Sequence, residues 1–154
     1  MVRENIDEAV ERTLKLIEQN PAETRYKALL ADIYFEDNQK EKSDSIYREI
    51  IEKNPDDIES QLLYMMNLVF RKDYSGVSSF LSNVFDSDIV ERERKVSVAG
   101  RLVTDTLYVR DNWESLASGL MVLEGKYPDD EEILSLRPVM LEIAGRNDDA
   151  IERY

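Results

Sequence analysis

The sequence predicts an all-α fold of repeated antiparallel helix pairs, and three observations carry that expectation. Turns anchored on proline recur: Asn20-Pro21-Ala22-Glu23 and Asn54-Pro55-Asp56-Asp57 stand 34 residues apart. Tyr127-Pro128-Asp129-Asp130 repeats the pattern 73 residues after Pro55, which is two periods and five residues more. Between these anchors apolar residues return at three- and four-residue steps, the spacing of a helix buried on one side. Finally, 5 Gly and 4 Pro among 154 residues supply too little turn chemistry for many short strands.

Taken in order, residues 1–21 form a partial repeat, followed by repeats at about 22–55, 56–89 and 90–128 and a second partial repeat at 129–154. In the first full repeat Tyr26, Leu29, Leu30, Ile33 and Tyr34 make one apolar stripe, Asp37-Asn38 interrupts it, and Ile46, Tyr47, Ile50 and Ile51 begin another. The next runs from Leu62 to Phe70, breaks at Lys72-Asp73, and resumes with Val77, Phe80, Leu81, Val84 and Phe85. The third holds an apolar segment from Val98 to Val109, a break at Asp111-Asn112, then Leu116, Leu120, Met121 and Leu123. The stretch Asp86–Gly100 lacks a proline and is expected to hold the five surplus residues, as a longer helix or a larger turn. Asp56, Asp57, Asp129, Asp130, Glu131 and Glu132 follow the prolines, where free N–H groups and the helix dipole favour anions. Pro138 should kink its helix or mark its first turn.

These residues resemble the tetratricopeptide repeat family over essentially the whole chain. Leu30, Ala31 and Tyr34 stand at signature positions of the first helix, and Ser43, Tyr47 and Ile50 at those of the second. Asn5–Glu11, with Ala9, looks like the start of a second helix closed by Pro21. Gly145–Tyr154, with Ala150, matches the same segment. Lys27, Met65 and Val77 depart from the pattern. The resemblance implies a right-handed α-solenoid, a TPR-like superhelix, in which small residues let helix backbones approach. Both ends fall within repeats, so the chain is expected to be a piece of a longer array with an apolar face at one or both ends. Self-association through such ends is then an expected artefact. The insertion and irregular middle repeat resemble large bacterial envelope-associated repeat proteins in a general way, pointing to an extracytoplasmic bacterial origin.

Composition removes most catalytic chemistry. With 0 Cys and 0 His there is no thiol nucleophile, thiolate metal site, Ser-His-Asp triad or imidazole base. The glycines form neither a GxGxxG fingerprint nor a phosphate loop. Asp86-Ser87-Asp88 opens like a calcium loop, but Val90 stands where the sharp turn needs Gly. No cofactor and no metal are therefore expected. A formal net charge of -13 argues against nucleic acid, and no apolar run suits direct membrane insertion. Arg92, Arg94, Lys95 and Arg101 interleave with Glu91 and Glu93, as on a salt-bridged helix face. Trp113 and Met65 read as core, whereas Met66 is the candidate for an adaptable binding patch.

What remains is a non-catalytic interaction module taking a protein or peptide partner. A structural spacer in a larger repeat protein is the alternative, and a hydrolase using only Asp and Glu the third reading. By resemblance, the first helix of each repeat lines a concave groove. Carried across, that gives Arg25, Ala28, Asp32, Phe35 and Glu36, then Leu62, Met66, Val69 and Phe70 with Glu59 at the rim. Arg101, Asp105, Tyr108 and Val109 follow, and Glu132, Ser135, Val139, Glu142 and Ile143 come last. The family's Lys-Asn-Arg clamp for terminal carboxylates has no counterpart, since Ala28 and Asp32 occupy two of its places. An apolar centre with acidic and aromatic flanks would suit an amphipathic helix or extended segment with apolar anchors and some positive charge.

Overall fold

The computed structural model describes residues 2–147, and every regular element among them is helical. In chain order these are α1 (Val2–Gln19), α2 (Thr24–Glu36), α3 (Lys40–Lys53), α4 (Ile58–Phe70), a short 3-10 turn (Tyr74–Gly76), α5 (Ser78–Asp86), α6 (Arg92–Val103), α7 (Thr106–Asp111), α8 (Trp113–Lys126), α9 (Glu131–Leu134) and α10 (Leu136–Asn147). The chain divides into unit 1, Met1–Tyr64, and unit 2, Met65–Tyr154, with the boundary inside α4. The expectation for the last segment falls in part on residues 148–154, including Ala150, which lie outside the described residues.

Proline punctuates the chain. Helices α1, α3 and α8 end at Gln19, Lys53 and Lys126, each two residues before a proline. Pro disfavours helical backbone in the residue ahead of it and cannot itself donate to the ladder. Asn54 closes α3 from the other side, its side-chain amide donating to the Ile50 carbonyl at 3.0 Å. Pro138 falls in the first turn of α10, where a missing N–H costs little.

The helices that open each hairpin begin at Thr24, Ile58 and Arg92, two intervals of 34 residues, and then at Glu131 after 39. The five surplus residues thus lie beyond Arg92, not in the linker at 87–91. From Thr24 to the start of α3 is 16 residues, whereas from Arg92 to the start of α8 is 21. A single helix was expected over Val98–Val109, but it is cut. The Thr104 hydroxyl turns back to the carbonyls of Gly100 at 2.8 Å and Arg101 at 3.2 Å. Asp105 then accepts the Tyr108 N–H at 3.0 Å and starts α7.

In unit 1, α2 and α3 pack as an antiparallel hairpin joined by Asp37-Asn38-Gln39. Asn38 takes a left-handed φ of 61°, which Asn tolerates better than most residues. Small residues Ala28, Ala31 and Ser43 are buried at the seam with Leu30, Tyr47 and Ile50. Tyr47 is the largest wedge there. Its hydroxyl donates to Asp32, and its ring stacks on Tyr64 with centroids 4.9 Å apart. The start of α4 is held by Asp57, which accepts the Ser60 N–H at 3.0 Å and the Thr24 hydroxyl at 2.6 Å. Burial pushes that carboxyl up, but the Thr24 hydroxyl and the Ser60 N–H and hydroxyl together hold it below its usual value.

In unit 2, α5 packs on α8 at Gly119, where an added Cβ would meet the Phe85 ring at 3.2 Å. Helix α10 lies against α6, α7, α8 and α9. Lys95 is fully buried; its ammonium donates to the Ser87 carbonyl and, at 3.1 Å, to the Tyr127 hydroxyl. The expected salt-bridged face on α6 is present at Arg92, which stands 3.7 Å from Glu93, and Arg92 also reaches other elements. Arg92 binds Asp130, which also caps α9 by accepting the Ile133 N–H at 3.1 Å, and Glu132 at 2.8 Å.

The Arg92 guanidinium, followed by the Ile133 N–H, lowers the Asp130 pKa from 3.8 to about 2. A carboxyl depressed on folding stabilises the native state above its unfolded pKa and loses that contribution as pH falls through its folded one. The gap in urea midpoint between wild type and Asp130→Asn should therefore close as pH drops from 3.8 to about 2. A gap unchanged down to pH 2 would remove the charge as its cause.

Candidate groove in unit 2

The second half of α4 alternates on a helical period. Met65, Leu68 and Val69 are buried, while Met66 and Phe70, four residues apart, share an outward face. Phe70 is 70% exposed and Met66 38%. An exposed phenylalanine is costly in water, and two large apolar side chains on one helix face form a patch rather than isolated exposures.

Across from that face runs α6. Met66, Val69 and Phe70 with Ser97, Val98 and Arg101 enclose a hollow of about 140 Å³. It continues into a wider, more polar depression of about 280 Å³ bordered by Val69, Phe70, Lys72, Tyr74, Arg101, Thr104 and Asp105. Two irregularities shape this end. Lys72 adopts a left-handed φ of 58°, turning the chain sharply after α4. The cut between α6 and α7 brings Thr104 and Asp105 to the rim.

The polar groups at the rim are mostly engaged. Asp105 accepts the Tyr74 hydroxyl besides capping α7, and the Lys72 ammonium stands 4.0 Å away. Burial and then the hydrogen bond to Asp105 push the Tyr74 hydroxyl far above its usual pKa, so it remains a donor. Tyr74 also meets the Tyr108 ring edge-on at 5.1 Å. Asp105 is the one carboxylate among the residues bordering the two depressions.

Of the residues assigned to a groove from the sequence, Met66, Val69, Phe70, Arg101 and Asp105 border this feature. Tyr108 is fully buried on α7, with its hydroxyl 3.0 Å from that of Ser78. Glu142 is exposed on α10 and does not border the hollow. Val109, Glu132, Ser135, Val139 and Ile143 do not border it either, and seven more, Arg25, Ala28, Asp32, Phe35, Glu36, Glu59 and Leu62, belong to unit 1. Arg25 is exposed at the start of α2, with its guanidinium 3.7 Å from Glu23 and 5.2 Å above the Tyr26 ring centre. Asp32 is half-buried and accepts the Tyr47 hydroxyl, Phe35 is half-buried and Glu36 exposed, and Leu62 is fully buried in α4.

Ser97, Val98, Lys72, Tyr74 and Thr104 escaped the sequence reading. Ser97 and Val98 stand four and three residues before Arg101, so helical periodicity around Arg101 would have found them. Lys72, Tyr74 and Thr104 carry no such signal, because they arrive through a left-handed residue, a 3-10 turn and a helix break.

Among the described residues no helix is long and apolar enough to cross a membrane, and no group of three or more carboxylates is placed to hold a metal ion. Comparison of the chain with protein-family models, curated proteins and solved structures finds no match.

Proposed function

We propose that this chain is a non-catalytic interaction module of the tetratricopeptide kind, a solenoid of antiparallel helix pairs. It binds a segment of a partner protein in the groove between α4 and α6 of unit 2. One observation carries the reading: Phe70 and Met66 are exposed side by side over a preformed hollow floored by Val69 and Val98. Helices beginning at 34-residue intervals support the repeat assignment. A preformed groove needs little reordering to accept an apolar anchor, and buried aromatic anchors dominate such contacts. Acid–base catalysis finds no pair of carboxylates there, since Asp105 alone borders the depressions and already has partners.

The test is selection of binders from random peptides displayed on phage. Their C-termini are fused to the coat protein, so no terminal carboxylate takes part. The double variant Met66→Glu with Phe70→Glu should lose captured peptides by a hundredfold or more, on the scale of two anchor contacts at roughly 1–2 kcal/mol each. Both side chains are exposed, so far-UV circular dichroism should stay unchanged. Capture that survives the double change moves the site off this groove.

A further inference from the structure

The charge at the groove runs against the charge of the chain. The protein carries a formal -13, yet the ionisable side chains bordering the depressions that can bear charge near neutral pH are Lys72, Arg101 and Asp105. Asp105 is occupied by the Tyr74 hydroxyl and the Tyr108 N–H, with Lys72 standing by. Arg101 is different. Among the described residues its guanidinium has no carboxylate within ion-pair distance and its side chain makes no hydrogen bond. It borders both the apolar hollow and the wider depression.

We infer that the occupant of this groove is a peptide segment pairing an apolar anchor with a nearby side-chain carboxylate, the anchor seated against Met66, Val69 and Phe70 and the carboxylate on Arg101. The inference rests on the interaction reading above and adds the sign of the partner. An arginine fork presents its donors in a plane that matches a carboxylate bidentately. Covering Arg101 with a purely apolar segment strips its water without replacing the lost hydrogen bonds, an unfavourable exchange. A basic segment fares worse, because Arg101 then repels it at close range. This sign is opposite to that of the positive partner expected from the sequence, because Asp105 is already held by the Tyr74 hydroxyl and the Tyr108 N–H.

The acidic remainder of the chain has a second effect. It repels an acidic partner at long range, while the Arg101 contact acts at short range beside apolar side chains. Salt screens the first more than the second. Moderate salt should therefore weaken binding less than for a salt bridge on an otherwise basic surface.

The same phage selection separates the possibilities. Wild type should enrich peptides with Asp or Glu within a few residues of an aromatic or aliphatic anchor. Arg101→Glu should bind those peptides about tenfold more weakly and, in its own selection, favour Lys or Arg instead. Arg101→Gln should show the loss without the reversal. Enrichment of neutral or basic apolar peptides that still depend on Met66 and Phe70 overturns the charge inference and leaves the groove standing. Peptides indifferent to Met66 and Phe70, or no enrichment at all, overturn the groove itself.

Discussion

Tyr47→Ala should lower the free energy of unfolding by about 3–5 kcal/mol, the range for removing a fully buried aromatic ring. Tyr47 is fully buried between α2 and α3 and stacks on Tyr64. Its loss leaves a cavity and removes a donor from the half-buried Asp32 carboxylate. Burial, with Asp32 second, pushes the Tyr47 hydroxyl far above its usual pKa, so the proton stays in place across the accessible pH range. Tyr47→Phe keeps the packing and removes only the hydroxyl, and should cost about 1–2 kcal/mol. Urea titration of the three proteins checks both, read as midpoint shifts at constant slope. An alanine variant within 1 kcal/mol of wild type would mean that the seam collapses around the gap, and the wedge role would be wrong.

The second large effect is expected at Lys95. An ammonium with no exposure to water must replace its hydration, and here a backbone carbonyl, a tyrosine hydroxyl and a ring face do so. The Nζ atom stands 5.2 Å from the Tyr127 ring centre. Through Ser87 and Tyr127 it ties the linker between α5 and α6 to the end of α8. Lys95→Ala removes the stem and all three contacts and should cost about 2–4 kcal/mol. Lys95→Met retains most of the volume and discards the desolvated charge, so it should stay within about 1 kcal/mol of wild type. Equal losses in the two variants would show instead that the polar contacts outweigh the packing.

Much of the helix punctuation is legible because proline and short polar pairs act locally. The prolines at 21, 55 and 128, and the interruption at Asp37-Asn38, stop helices through their own backbone preferences, while Lys72-Asp73 is legible only as a polar gap between apolar stripes. The break at Thr104-Asp105 escapes the same reading because neither residue forbids helix. It forms when a hydroxyl folds back on a carbonyl and a carboxylate takes the next free N–H, a choice decided by the surrounding packing. Apolar phase from Val98 to Val109 runs straight through it, and so predicts one helix. The groove is similarly divided. Periodicity alone puts Met66 and Phe70 on one helix face, whereas their exposure, and the isolation of Arg101, depend on where the other helices and every carboxylate end up. Glu93 stands beside Arg92 in sequence and lies 3.7 Å from it, yet the shorter contacts to Arg92 come from Asp130 and Glu132, far along the chain.

The five-residue surplus between Arg92 and Trp113 bears on how the hairpins find one another during folding. Interchangeable hairpins invite misassembly, since a helix can dock on the wrong copy within its own chain or on a neighbouring molecule. The arm that opens at Arg92 is cut into pieces of 12 and 6 residues, whereas the one that opens at Glu131 begins with a piece of 4, so the cut arms are not interchangeable copies. Arms of unequal make-up disfavour such exchange.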